Sequence, residues 1–176
     1  MARSKVNTKF VLILAGSAVL AAGGLIGLYY KLVYRSPEQY ATRGDAKLAE
    51  GDPRAAIDLY GKAVGREQTN AAFLTKWRDA MAAWVPQDRL RFEDMFQQYR
   101  GAMRQLAFSQ RDNLNDQIAY LELMRKLGQT AGPTSGMWKD VESEADQLIE
   151  FHKDDTGNAW KKLLKYRGMA RGLQAY

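Results

Sequence analysis

The stretch GDPRAAIDLYGKA, Gly51 to Ala63, decides the fold. Ala56, Tyr60 and Ala63 recur at spacings of four and three, so a helix places them on one face with an aromatic ring between two small residues. An ordinary core helix fills such a face with leucine or isoleucine. Small residues at this spacing require another backbone to come close. The stretch also carries its own start signal: Gly51 suits the end of a preceding helix, Asp52 an N-cap and Pro53 the first helical position.

Working towards the amino terminus, Ser36, Pro37 and Gln39 in SPEQ form the S-x-x-Q pattern of a capping box with proline in the first turn. Tyr40, Gly44 and Leu48 then recur every four residues until EGDP interrupts them. Two helices joined by so short a turn make an αα-hairpin. Residues 37–70 resemble a tetratricopeptide repeat (TPR), a helical hairpin of about thirty-four residues. Tyr40 stands at its aromatic opening position, Gly44 at the small position of the first helix and Gly51-Asp52 at the turn. Ala56, Tyr60 and Ala63 supply the small, aromatic and closing positions of the second helix. Arg43 stands where the family has leucine, and Gln68 where it has proline. The resemblance implies repeat packing through Tyr40, Gly44, Ala56, Tyr60 and Ala63.

One hairpin cannot bury both its faces, so neighbours are expected. Phe73, Leu74, Trp77, Met81 and Trp84 follow at helical spacing, and beyond Pro86 a long apolar stripe runs through Leu90, Phe92, Met95, Phe96, Tyr99, Met103 and Leu106. Residues 112–129 and 137–151 form another pair about the loop TAGPTSG, with Trp138, Val141, Ala145, Leu148 and Ile149 facing inward. A last helix begins near Trp160. The expected fold class is all-α: an N-terminal transmembrane helix followed over residues 36–176 by three TPR-like hairpins and an unpaired helix, stacked as a right-handed solenoid. That last helix lacks a cap or stop signal, so either it is the atypical helix that closes the array or, the favoured expectation, the array continues past Tyr176.

The transmembrane expectation rests on residues 10–34. From Phe10 to Tyr30 no side chain is charged, and a helix of that length reaches about 30 Å, one hydrocarbon core. Tyr29, Tyr30, Tyr34, Lys31 and Arg35 suit one interface, and Arg3, Lys5 and Lys9 in the short tail, residues 1–9, suit the other. The apolar run is longer than a signal-peptide core, so an uncleaved signal anchor is expected. The positive-inside rule then places the amino terminus in the cytoplasm and the repeats in the periplasm or another extracytoplasmic space. Gly23 and Gly27 form a GxxxG pair through which two anchors could pack as a homo-oligomer. Small residues are common in single spans, and the pair alone does not require a dimer.

The net charge of +6 is not a nucleic-acid signal. Residues 1–35 hold five of the 26 basic residues and none of the 20 acidic ones, leaving the rest nearly neutral. With no cysteine in the chain, disulfides and thiolate metal sites are excluded. The single histidine, His152, lacks a second imidazole at helical spacing and reads as a helix-end residue. Asp154 and Asp155 read as a solvated turn. Glu93 with Asp94, and Glu142 with Glu144 and Asp146, lie on polar faces where acid–base chemistry has no support. No P-loop, GxSxG or dinucleotide fingerprint is present, so neither an enzyme nor a cofactor is expected. Lys161, Lys162, Lys165, Arg167 and Arg171 make the last helix basic.

The functional expectation is a membrane-anchored scaffold whose first helices line a groove for a protein or peptide partner, with Arg43, Lys47, Lys76, Arg78 and Asp79 as candidate binding residues. The alternative is a structural spacer or oligomerisation element of a larger envelope protein with a domain beyond residue 176.

Overall fold

The computed structural model describes residues 8–32, 35–84, 86–153 and 159–174, leaving aside the side chains at both ends of the first helix. Arg3, Lys5, Tyr34, Asp154, Asp155 and Tyr176 lie outside the described residues. Among the described residues eight helices follow in order: α1 (Thr8–Leu32), α2 (Pro37–Ala49), α3 (Pro53–Arg66), α4 (Ala71–Ala83), α5 (Arg89–Ser109), α6 (Leu114–Ala131), α7 (Met137–Phe151) and α8 (Ala159–Gln174). There is no strand among the described residues.

Local chemistry sets the boundaries. The Ser36 side chain accepts from the Gln39 N–H at 3.3 Å while the Gln39 side chain accepts from the Ser36 N–H, a complete capping box. Asp52 caps α3 by accepting from Ala55, and Asn70, Asp88 and Asn113 cap α4, α5 and α6 in the same manner. Gly51 turns the chain between α2 and α3 at φ 79°, in the left-handed region that favours glycine.

From α2 onward each helix packs against the next. In addition α2 meets α4 and α6 meets α8, whereas α3, α5 and α7 make no comparable contact with one another. The core falls into two parts that meet on α5. Ala102 and Leu106 belong to the part built from α2, α3 and α4, and Met103 and Ala107 to the part built from α6, α7 and α8. Two adjacent i,i+4 stripes on one helix therefore serve opposite neighbours. Leu74, Leu106, Leu121, Leu148 and Leu163 are fully buried, each a stabilisation of about 1.5–3 kcal/mol.

The gap left by the small residues of the first hairpin is filled by the tyrosine ring. Ala56 and Ala63 have no exposed surface and Tyr60 retains 1%. A Cβ on Gly44 would lie 2.5 Å from Tyr60 Cε1, so α2 leaves a notch that the ring from α3 occupies. The arrangement recurs in the third hairpin, where a Cβ on Gly128 of α6 would stand 3.0 Å from Trp138 of α7.

The expected transmembrane anchor is corrected. Among the described residues no helix is long and apolar enough to cross a membrane. Residues 14–28 form the middle of α1. Alanines, glycines and a serine make up most of that stretch, and they contribute little transfer free energy. The single-pass localisation that rested on this segment, with a cytoplasmic amino terminus and extracytoplasmic repeats, is withdrawn with it. Gly23 and Gly27 lie on α1 in open space, and their proposed pairing loses its membrane premise. Leu14, Val19, Leu20, Leu25, Ile26 and Leu28 are exposed, and among the described residues α1 has no extended contact with α2–α8.

Candidate functional site

The successive first helices, α2, α4 and α6, form the face on which binding residues were expected. Lys76 of α4 reaches back to α2, its Nζ donating to Asp45 Oδ1 at 2.8 Å and Oδ2 at 2.6 Å. Arg78 reaches the other way, its Nη1 donating to Asp116 Oδ1 of α6 at 2.9 Å and its Nε to Asp79 at 2.9 Å. Residues 76 and 78 point to opposite sides of a helix, so one turn of α4 ties both neighbouring first helices. Asp79 and Thr75 lie on the arc between them, on the side of α4 turned from the core.

The five expected binding residues therefore separate. Lys76 and Arg78 are cross-braces of the array. Lys47 pairs with Glu50 within the same helix end. Asp79 stays exposed beside Arg78, with which it pairs. Arg43 is exposed, about 200° around α2 from Asp45 by helical geometry, and lines an open depression with Arg35, Glu38, Gln39 and Thr42. It lies away from α4.

Three tyrosines join this bracing, which no spacing in the sequence announces. The Tyr60 hydroxyl donates to Asp45 Oδ1 at 2.7 Å, so α2, α3 and α4 meet at one carboxylate. Tyr120 of α6 lies beside Glu144 of α7, which also accepts from Arg104 Nε of α5 at 2.8 Å. Tyr166 of α8 interacts with Glu122 of α6, itself paired with Arg125. Burial, then the neighbouring carboxylate, holds all three phenols above the ordinary tyrosine range.

Burial pushes the Asp45 carboxyl up, but hydrogen bonds from Lys76 and Tyr60 outweigh it and leave the group below its ordinary range. A carboxylate lowered in the folded state contributes stability that is fully present above the unfolded pKa and lost as pH falls through the folded one. Asp45→Asn is accordingly expected to lower stability at neutral pH, with the gap to the natural chain closing below about pH 4. Urea titrations between pH 7 and 3 measure it; a gap constant across that range contradicts the assignment.

The Arg78–Asp116 pair is the more buried brace, with side chains 21% and 17% exposed, against 41% and 46% for Lys76 and Asp45. Among the described residues, Arg78→Ala leaves Asp116 with Asn113 alone as a side-chain donor. A loss of about 1–3 kcal/mol is expected, while Lys76→Ala should lose about 1 kcal/mol or less. Chemical denaturation of both variants checks the order.

His152, expected at a helix end, is the C-cap residue of α7 and is also buried against Gln117 of α6. The Gln117 amide nitrogen donates to the Arg111 carbonyl at 2.9 Å, so its oxygen faces His152 Nε2 at 2.7 Å and the ring donates from that nitrogen. The pair stitches the α5–α6 turn to the end of α7. The acidic clusters are likewise committed to ion pairs: Glu93 to Arg89, Glu142 to Arg171, Glu144 to Arg104 and Asp146 to Arg167. Among the described residues no group of three acidic or imidazole side chains is placed to hold a metal ion.

No family model, curated protein or solved structure matches this chain.

Proposed function

We propose that this chain is a helical-repeat scaffold of the tetratricopeptide-like kind, a binding module that holds a protein or peptide segment in the trough of its first helices. The observation that carries the reading is the unequal approach of the two helix sets: α2 meets α4, α6 meets α8, and among the described residues α4 reaches α6 through the Arg78–Asp116 ion pair alone, while the second helices stay apart. An array drawn together along one edge bends towards that edge, and a concave surface suits an extended segment or a helix. The Asp45–Lys76 and Arg78–Asp116 braces fix the trough before a partner arrives, which lowers the ordering cost of binding. Recognition falls to the positions between the braces, the exposed Asp79 foremost, with the half-buried Thr75 beside it.

A photo-crosslinking residue placed in the full chain at Asp79, and separately at Lys62 on the exposed side of α3, tests this reading. The expected result is one recurrent crosslinked protein from position 79 and none from 62. Equal recovery from the two positions sinks the trough as the binding face.

A further inference from the structure

The terminal helix carries a second surface, separate from the trough. Leu163, Tyr166 and Ala170 turn one side of α8 into the core, and Arg167 and Arg171 pair with Asp146 and Glu142 of α7. Lys161, Lys162 and Lys165 behave differently. All three are exposed, none has an ion-pair partner among the described residues, and the first turn of α8 contains no acid. Cations at i and i+4 repel each other, and at the amino-terminal end of a helix they also oppose the macrodipole. Lys161 lies over the Trp160 ring, its ammonium 5.8 Å from the ring centroid, while Lys162 and Lys165 have no ion pair among the described residues.

Lys161, Leu164, Lys165, Gly168 and Gly172 fall at i, i+3, i+4, i+7 and i+11, a single stripe on the side of α8 turned from the core. Nothing lies within 4 Å of where a Cβ on either glycine would stand. Exposed mid-helix glycines also cost stability relative to alanine. Within the array, Gly44 and Gly128 each receive an aromatic ring from a neighbouring helix. The two glycines of α8 offer the same kind of notch with no ring in it.

We propose that this stripe docks an amphipathic helix of a partner protein, carrying acidic residues opposite Lys161 and Lys165 and an aromatic side chain against Gly168 and Gly172. Charge decides the partner's chemistry: the inner side of α8 is already matched by the acidic α7, and the outer side repeats the cations without the acids. An anionic lipid surface is a poorer match, because the stripe offers Leu164 as its one large apolar side chain.

The probe is a synthetic peptide of the α7 sequence, residues 137–151, titrated against the full chain. It carries the required acids together with Trp138. Saturable binding is expected, weakened about tenfold by the pair Lys161→Glu and Lys165→Glu. Gly168→Ala with Gly172→Ala should also weaken binding about tenfold while raising the melting temperature, because alanine favours a helix. That opposition separates docking from folding. Binding that ignores these four positions and follows Arg171→Ala signals exchange with the resident α7 and overturns the proposal. So does lysine-dependent attachment to phosphatidylserine vesicles without peptide binding. The position-79 crosslink is independent of all these variants, so either surface can fail alone.

Discussion

Gly44→Ala is expected to destabilise the protein by about 2 kcal/mol, reversing the usual sign of this substitution. In an open mid-helix site, glycine to alanine gains about 0.5–1 kcal/mol through backbone entropy. At Gly44 the new methyl would lie 2.5, 2.7 and 2.9 Å from three carbons of the Tyr60 ring. That ring has 1% of its surface exposed and its hydroxyl is committed to Asp45, so it has nowhere to retreat. Gly101→Ala provides the control: it lies in α5 with nothing within 4 Å of a Cβ, and should stabilise the fold. Shrinking the ring in a Gly44→Ala, Tyr60→Leu double variant should cost less than the two single changes summed, since the methyl then has space. A neutral or stabilising Gly44→Ala, measured by urea unfolding, would show that the first hairpin does not close through this notch.

Trp138→Ala should have the larger effect, about 3–5 kcal/mol. The ring is 2% exposed within the second core, lies across Gly128 and donates from Nε1 to the Gly132 carbonyl at 3.0 Å. Truncation removes the buried apolar surface, opens a cavity facing a glycine that cannot fill it, and leaves a loop carbonyl without its donor. Trp138→Phe keeps most of the volume and loses the donor, so it should fall between the natural chain and the alanine variant. Thermal unfolding of the pair separates packing from hydrogen bonding. A loss below about 1 kcal/mol for Trp138→Ala would place the ring outside the core, against its burial.

The helical pairs were legible because their signals are local. A capping side chain lies three residues from the N–H it accepts, and Ala56, Tyr60 and Ala63 fall on one face through helical spacing alone. The same locality misled at residues 10–34, where an uncharged run suggests a membrane span and no described helix meets the requirement. It also left the five candidate binding residues undivided, because exposure on a first helix looks alike in sequence whether the side chain braces a neighbour or faces a trough.

By itself, then, the sequence determined where the helices of the array start and stop, which faces they bury, and that a ring would occupy the space left by small residues. Tertiary structure alone decided that Asp45 gathers Tyr60 and Lys76, that Arg78 reaches Asp116 across 38 positions, and that His152 meets Gln117 across 35. The physical reason is range. Caps and faces depend on neighbours within one or two turns, whereas an ion pair between helices depends on how whole hairpins stack, which packing across the entire core settles.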